Sequence, residues 1–401
     1  MNRIHIGKPF LLLVTILFSL LVGGTLPYFM LYITFFLFTI PLIHSFISIN
    51  SISGKVKLPE TELFTGEIVN IEYTIENNGV VPIPYLKIFS NISKQLTGAI
   101  SKENIISLEK KEIYSKAENV YLNKRGFYKI GDIDISVKDI FGFYNLNKKI
   151  KSQAALLVYP ELVNLSTFEV SSSQQSGDLL IKDSSYIDRT RIASLREYSE
   201  GDSIKSIHWK LSAKKDAPIV KDFEFRGDTS VNIIIDNYTK NYIKDIDRRM
   251  EDKAATAAMS IINYCLDNNI SVDTITQDND SIQITKGQNK SNLKSFLELL
   301  AKFQGNGTYP LNDLIERVDI QIIKGTSLII VTNNLNSQIA SVGLDYRLKG
   351  LNPIFIVITD DKYKNGFIDL DIERNLKKEG INIYILDYQS GIKETLEVFH
   401  G

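Results

Sequence analysis

The residues best suited to chemistry are concentrated between Arg196 and Glu224, which read REYSEGDSIKSIHWKLSAKKDAPIVKDFE. His208 lies close to Ser206 and Ser212, so a nucleophile and its base could be drawn here. An isolated His in a polar loop beside a Trp is more typical of packing or hydrogen bonding than of catalysis. We therefore expect no catalytic residue in this stretch.

Two charged residues of the same stretch indicate how it is held. Arg196 and Asp202 can form a charge-assisted pair next to the Gly201-Asp202 turn, which would fix the loop. Trp209 is the single tryptophan of the chain, and we expect it to be a buried anchor. The stretch is therefore predicted to be an ordered connector that locks two domains together and forms part of a docking surface.

A group of basic side chains predicts a local positive surface on this connector. The surface could face an acidic partner or anionic lipid headgroups, although a solvated face is the commoner role of such charges. The group comprises Lys210, Lys214, Lys215 and Lys221.

The order of these residues resembles the bacterial DUF58 proteins, in the pattern R-x-Y-x-x-G-D-x-x-x-x-I-x-W-x-x-S-A-K followed by V-K-x-F-E. The matching positions are Arg196, Tyr198, Gly201, Asp202, Ile207, Trp209, Ser212, Ala213, Lys214, Val220, Lys221, Phe223 and Glu224. The segments 125–128 and 139–143 also resemble the region that precedes this motif. The resemblance implies a von Willebrand factor A-like domain after the motif. It also implies a MoxR-type AAA+ ATPase as partner, often beside a transglutaminase-like membrane protein.

In a von Willebrand A domain, the first strand ends in D-x-S-x-S, whose oxygens hold a divalent ion together with a Thr and an Asp from two further loops. Here Asp236 is kept, but Tyr238 and Lys240 stand at the two serine positions. Thr308 remains in the second loop, and Asn333 stands where the Asp would be. A Lys near Asp236 would repel a divalent cation. We therefore expect a degenerate site, with no metal and no other cofactor, Mg²⁺ included.

The whole sequence offers few other catalytic or binding signals. Its net charge of -1 gives no reason to expect nucleic-acid binding. One Cys, Cys265, excludes an internal disulfide and is expected to be a buried thiol. The sequence contains no phosphate-binding loop, no G-x-S-x-G elbow and no H-E-x-x-H helix. We therefore expect a protein that is not an enzyme.

The N-terminal region predicts a membrane anchor, because residues 9–49 contain no Lys, Arg, Asp or Glu. This run suits two spans of about 20 residues each, which we place at 9–21 and 28–49. A cleaved signal peptide is the alternative interpretation. Basic residues flank the run on both sides, so the positive-inside rule puts both ends in the cytoplasm. These residues are Arg3, Lys8, Lys55 and Lys57.

The remaining chain divides into two patterns. Residues 51–164 alternate apolar and polar side chains in short runs, which predicts an antiparallel, immunoglobulin-like β-sandwich. A polar segment at 165–190 is typical of a linker. From 191 to 401, five apolar strands alternate with helices, which predicts a doubly wound α/β domain with any ligand site at the carboxyl ends of its strands. These strands are expected at 231–236, 271–276, 327–332, 353–359 and 381–386.

Together these features predict a two-pass membrane protein with cytoplasmic soluble domains that acts as a scaffold for a MoxR-type ATPase. Envelope assembly or chaperone-like maturation would be its setting. Two other classes stay open: a metal-dependent ligand-binding or adhesion module, and an enzyme that uses the 196–224 stretch. The lost hydroxyls at Tyr238 and Lys240 argue against the first of these, and the missing catalytic set argues against the second.

Overall fold

The computed structural model describes residues 7–58, 62–98, 102–151, 154–169, 187–199, 202, 204–215, 217–225, 230–318 and 326–397. The chain divides into two compact units, Met1–Glu161 and Leu162–Gly401. The predicted domain limits at residues 50, 164 and 190 stay predictions, and most of the predicted linker lies outside the described residues.

Two apolar helices stand at the start of the first unit: α1 (Gly7–Val22) and α2 (Thr25–Ser51). Gly23 and Gly24 separate them with φ angles of 67° and 91°, a left-handed conformation that glycine adopts without a steric cost. Within the described residues, α2 is the one helix long and apolar enough to cross a membrane, and Phe10–Val22 is a shorter apolar helix. The two helices contact each other.

The rest of the first unit is built of short strands and one short helix. Their bounds are β1 (Ile52–Lys57), β2 (Leu63–Phe64), β3 (Ile68–Asn77), β4 (Ile83–Ser90), α3 (Ile92–Thr97), β5 (Lys102–Leu108), β6 (Ile113–Tyr121), β7 (Gly126–Ile130), β8 (Ile133–Lys138), β9 (Asn145–Ile150) and β10 (Ala154–Tyr159). They form sheets in the orders β1-β3-β6, β2-β10-β7 and β5-β4-β8-β9. All pairs are antiparallel except β2 with β10.

The alternation of apolar and polar residues in the sequence matches the alternation of buried and exposed residues in these strands. In β3, alternate residues from Val69 to Ile75 are buried while their neighbours are more exposed, as a sheet with one face on a core requires. Side chains from all three sheets meet in one hydrophobic cluster, which also includes Ile49 of α2. The end of α2 is therefore packed into the β part of the unit.

The second unit contains ten further strands, some of them very short, and eight further helices along its described residues. Their bounds are β11 (Ile187–Glu197), α4 (Trp209–Lys215), β12 (Ile219–Phe225), β13 (Ser230–Ile235), α5 (Thr239–Tyr242), α6 (Arg249–Asp267), β14 (Ser271–Asp278), β15 (Ser281–Gly287), α7 (Leu293–Lys302), α8 (Leu311–Arg317), β16 (Ser327–Thr332), β17 (Asn334–Leu335), α9 (Ser337–Leu348), β18 (Asn352–Thr359), β19 (Phe367–Ile368), α10 (Leu370–Lys378), β20 (Asn382–Asp387) and α11 (Ile392–Leu396).

A six-stranded sheet in the order β15-β14-β13-β16-β18-β20 is the centre of this unit. Five of its strands run parallel, and the edge strand β15 is antiparallel. On one face of the sheet, Ile234 and Ile330 share a hydrophobic cluster with side chains of α8, α9 and α10. The neighbouring residues Ile233 and Ile329 are also fully buried, and α6 packs against the same two strands. Because successive side chains point to opposite faces, the sheet is covered by helices on both sides.

The chain order reverses between β13 and β16, which are neighbours in the sheet. In open α/β sheets, ligands bind outside the carboxyl ends of the strands at such a switch point. Asp236 follows β13 and Asn333 follows β16, so two of the predicted degenerate metal positions lie at this point of the sheet.

The first residues of the predicted linker pack against the α/β unit. Phe168 is buried between Tyr264 and Tyr384, with ring centroids 6.3 and 6.0 Å apart. Ser166 donates its backbone N–H to Glu397 Oε1 at 2.5 Å. The two apolar side chains Leu165 and Phe168 explain why this end of the segment is held, since both are buried.

Candidate functional site

The connector motif lies on a two-stranded antiparallel pair, β11 with β12, and on the segment that joins them. Arg196 is opposite Val220 and Glu197 is opposite Ile219. Val220 and Ile219 are buried, so this end of the pair has a packed side. The joining segment contains a short 3₁₀ turn, Ile204–Ser206, and the helix α4.

The predicted ion pair of the connector is present. Arg196 donates to both carboxylate oxygens of Asp202, from Nη1 at 2.7 Å and from Nη2 at 2.8 Å. Asp202 also accepts the backbone N–H of Ser199 at 2.8 Å. A two-pronged guanidinium–carboxylate contact fixes orientation as well as distance, so Asp202 holds the start of the joining segment against β11.

Ser212 and His208 fasten α4 to β12. The hydroxyl of Ser212 accepts the N–H of Ile219 at 2.8 Å and donates to the backbone oxygen of His208 at 3.1 Å. The Nδ1 atom of His208 accepts the N–H of Leu211 at 3.3 Å. The Ser212 hydroxyl therefore contacts the backbone of His208 rather than its ring, and both residues act in local hydrogen bonding.

Trp209 is not the buried anchor that the sequence predicted: 66% of its surface is exposed. The prediction failed because α4 has only seven residues and buries none of its side chains. The residue before it, His208, turns the backbone toward β12 by donating its N–H to Ile219 O at 2.8 Å. Trp209 therefore lies on the open side of a connector whose fixed points are Asp202 and Ser212.

The other motif residues surround this exposed ring along the connector. Tyr198 is exposed and donates its N–H to Pro218 O at 2.9 Å. Lys214 is exposed and Lys221 is half-buried. Glu224 takes part in β12, opposite Asp188, while its side chain and Gly201 lie outside the described residues.

At the switch point of the sheet, the carboxylate of Asp236 is fully buried and surrounded by donors. Oδ1 accepts the N–H of Tyr238 at 3.1 Å, and Oδ2 accepts the Asn241 amide at 2.9 Å and the Thr332 hydroxyl at 2.7 Å. Tyr242 donates its hydroxyl to the backbone oxygen of Asp236 at 3.0 Å. The end of β13 is thus tied to α5 and to the end of β16.

Amide side chains extend this network across the crevice. Asn333 is buried and donates its Nδ2 to the backbone oxygen of Asn241 at 2.9 Å. Asn334 donates to the side-chain oxygen of Asn241 at 3.1 Å. Asn333, at the position that the von Willebrand A resemblance compares with a metal-binding Asp, therefore binds α5.

Two predicted positions lie elsewhere. The ammonium of Lys240 stands over the ring of Tyr238, 5.7 Å from its centre, and the donors at Asp236 are those of Tyr238, Asn241 and Thr332. Thr308 is exposed and donates its N–H to Asn279 O at 3.3 Å. The hydroxyl that binds Asp236 is that of Thr332, which the sequence comparison with the D-x-S-x-S motif overlooked.

Burial and hydrogen bonding act in opposite directions on the pKa of Asp236. Complete burial raises the pKa of Asp236 above its ordinary value, and the hydrogen bonds from Thr332, Tyr238 and Asn241 oppose that rise. Both carboxylate oxygens already accept hydrogen bonds from donors of the chain. A divalent cation would need the lone pairs of these oxygens, and it would be repelled by the donor hydrogens that point at them. The residues present do not fit a divalent ion. No group of three His, Cys, Asp or Glu suited to a metal occurs among the described residues.

A local signal for Asn241 was available in the sequence. An Asn five residues after the strand-ending Asp236 stands in a short helix that begins at Thr239, and its amide returns to the carboxylate. Asparagine and threonine side chains often bond the backbone or carboxylates near strand ends.

Comparison with known proteins covers both of these regions. Residues 194–342 match the family described as "Protein of unknown function DUF58". The chain is 19% identical over 204 residues to "Uncharacterized protein YeaD" of Bacillus subtilis (strain 168), with 49% of this chain and 51% of that protein covered. It therefore spans about half the length of the curated relative that it matches.

Solved structures give weaker likenesses. The conserved hypothetical protein BatB from Bacteroides thetaiotaomicron is 17% identical, with 40% of this chain and 89% of that chain covered, at a TM-score of 0.29. The CARDB domain of the PF1109 protein from Pyrococcus furiosus is 18% identical, with 25% and 91% covered, at a TM-score of 0.18. The segment with the connector and the Asp236 crevice, residues 194–342, belongs to the DUF58 family.

Proposed function

We propose that this chain is a non-enzymatic, membrane-anchored scaffold that docks a partner protein on its connector. The observation that carries the proposal is the exposure of Trp209 on a segment fixed by the Arg196–Asp202 pair. Large exposed aromatic side chains on a rigid support are the usual anchors of protein interfaces. A scaffold needs a surface of this kind and no catalytic group.

The composition of the connector surface suits an acidic partner. Leu195 and Tyr198 are exposed as well as Trp209, and the lysines 210, 214 and 215 are exposed on α4. Aromatic and apolar groups contribute most of the affinity at such a surface, and the charges contribute the rate and selectivity of association. The partner that the DUF58 resemblance implies is a MoxR-type AAA+ ATPase, with a transglutaminase-like membrane protein as a second candidate.

The two units supply the anchor and the framework of this scaffold. We propose that α1 and α2 form a two-pass hairpin, with the basic residues on both flanks keeping both soluble units in the cytoplasm. The antiparallel sheets and shared core of the first unit support an immunoglobulin-like sandwich. The strand order and switch point of the second unit support a von Willebrand A-like domain whose cation position has been replaced by amides.

A metal-dependent ligand-binding module is the less favoured alternative, because three hydrogen-bond donors of the chain already bind the two carboxylate oxygens of Asp236. An enzyme that uses the connector is also less favoured, because Ser212 bonds backbone atoms and His208 accepts a backbone N–H. Nucleic acid is not among the proposed partners, since the net charge is -1.

Site-specific photocrosslinking in membranes tests the docking surface. A photoreactive side chain at Trp209 should capture an AAA+ ATPase, identified by mass spectrometry. The control is Leu348, which is 86% exposed at the end of α9 in the same unit. Equal capture from positions 209 and 348, or capture from 348 alone, would place the docking surface away from the connector.

A further inference from the structure

The loop between β8 and β9 carries apolar side chains that point away from the hydrophobic core. Ile140 is 77% exposed and Phe141 is 57% exposed. The loop is not loose: the buried carboxylate of Asp139 accepts the N–H of Phe141 at 3.0 Å and that of Tyr144 at 2.6 Å. Adjacent exposed apolar groups on a fixed turn mark a surface that something else covers.

This loop lies beside α2. Phe143 contacts Phe38 of α2 with ring centroids 5.2 Å apart, and Phe141 stacks on Phe143 at 5.5 Å. Phe141 also lines an almost wholly apolar groove with side chains of α2. The α2 residues of this groove include Phe29, Tyr32, Phe36 and Ile40. The exposed loop is thus continuous with the apolar surface of the helix that is long enough to cross a membrane.

One face of the last part of α2 packs on the β part of the unit, while Ile43 and Phe46 on its other face are exposed. His44 Nε2 lies 3.0 Å from Pro82 O, and Ser45, Ser48 and Ile49 are buried. Lys148 donates to the backbone oxygen of Ile49 at 3.1 Å. One face of the helix therefore begins to pack on the β part between Phe38 and His44, which is where the loop contacts it.

The length of α2 puts this contact near a membrane boundary. Exposed apolar side chains continue along α2 from Leu26 to Ile47, a rise of about 32 Å, which is close to the ~30 Å of a hydrocarbon core. Ile140 and Phe141 therefore lie beside the last part of this apolar surface, where apolar side chains at the membrane boundary are favoured.

We propose that Ile140 and Phe141 insert into the lipid bilayer beside α2, so that the β part of the first unit docks on the membrane surface instead of hanging from a flexible tether. The proposal rests on the membrane anchoring proposed above. The occupant is the boundary between headgroups and acyl chains, where aromatic and aliphatic side chains on a rigid element bind by burying apolar area.

The experiment uses the full chain in phosphatidylcholine–phosphatidylglycerol vesicles that contain lipids with a quencher on the acyl chain. An environment-sensitive dye is attached to a cysteine at position 140, 141, 36 or 68, in a Cys265→Ala background. Ile68 is the matched control, because it is 72% exposed in the same unit. It lies at the far end of β3 from Asn77, which pairs with Ile52 directly after α2, a distance of about 30 Å.

We expect dyes at 140 and 141 to emit at shorter wavelength and to be quenched by the lipid, as a dye at 36 is, whereas a dye at 68 behaves as in water. An additional Ile140→Asp substitution should reduce the lipid quenching at 141 several-fold. Because Ile140 is exposed, this change should leave the fold intact.

Lipid quenching of the dye at 36, without quenching of the dyes at 140 and 141, would contradict insertion of the loop and would still support α2 as a membrane anchor. No quenching at 36 would overturn the anchor and this inference together. A blue shift of the dye at 140 that depends on protein concentration, without quenching by the lipid, would overturn the proposal. It would indicate that a second copy of the chain covers the loop, and not the bilayer.

Discussion

Asn241 donates its side-chain amide to Oδ2 of Asp236 across 2.9 Å, at the switch point of the six-stranded sheet. The same carboxylate oxygen accepts the hydroxyl of Thr332 at 2.7 Å. A neutral amide and a hydroxyl therefore both donate hydrogen bonds to one oxygen of this buried carboxylate.

The first prediction is that this crevice binds Mg²⁺ and Mn²⁺ weakly or not at all. Calorimetric titration of the full chain in detergent should give no heat of binding above dilution, because the hydrogen-bond donors at Asp236 occupy both of its oxygens. Micromolar binding that disappears in Asp236→Ala would contradict this and favour the metal-dependent module.

The second prediction concerns pH. Because burial raises the pKa of Asp236, the folded state binds its proton more tightly than the unfolded state. The stabilisation by this proton is complete below the unfolded pKa of about 3.9, and it is lost as pH rises through the folded pKa. The unfolding free energy of the wild type minus that of Asp236→Asn should therefore fall as pH rises, and then level off. Urea unfolding followed by circular dichroism measures it, and a difference that grows with pH would refute the assignment.

The third prediction compares a buried ion pair with an exposed one. Arg249 binds both oxygens of the buried Asp360, at 2.5 and 3.1 Å, and lies 3.6 Å from the centre of the Tyr388 ring. Arg249→Ala should lower the free energy of unfolding by about 3–5 kcal/mol, because it leaves a buried carboxylate uncompensated.

The control for that change is Arg374→Ala, which breaks an exposed pair with Asp371 on α10. This substitution should change the free energy of unfolding by no more than about 0.5 kcal/mol. Equal effects of the two substitutions in urea unfolding would mean that the pair of Arg249 with Asp360 is not a buried, stabilising contact.

The fourth prediction concerns topology. A cysteine in place of the exposed Leu348 should react with a membrane-impermeant maleimide only after cells are permeabilised, because both soluble units are proposed to be cytoplasmic. Cys265 gives little background, since burial raises the pKa of its thiol to about 12. Labelling of position 348 in intact cells would reverse the orientation.

Much of the α/β framework could be predicted from the sequence. The apolar runs at 327–332 and 353–359 are buried parallel strands, β16 and β18, because strands covered on both faces need apolar residues at every position. The edge strand β15 was missed. Its residues alternate from Ser281 to Lys286, but the run is short and polar, and its strand state depends on pairing with β14.

The candidate sites were predictable in part. The pairing of Arg196 with Asp202 follows from complementary charge at short spacing and is confirmed. The burial of Trp209 was wrong, because exposure depends on which face of a seven-residue helix meets β12. The role of Thr332 depends on two strands being neighbours in the sheet, which no local pattern records.

The fifth prediction tests the docking surface at its central residue. Trp209 is the single tryptophan, so the intrinsic tryptophan emission of the free protein reports on this one ring. Emission should resemble that of free indole in water and should be fully quenched by acrylamide, because the ring is mostly exposed.

The most direct measurement adds a purified MoxR-type ATPase whose own tryptophans have been replaced by phenylalanine. Binding should shift the Trp209 emission to shorter wavelength and protect it from acrylamide, and Trp209→Ala should weaken binding by at least tenfold, about 1.4 kcal/mol. A blue-shifted, quencher-resistant spectrum in the free protein would contradict the exposure of Trp209 on the docking surface. So would ATPase binding, detected by sedimentation, that leaves the Trp209 emission unchanged.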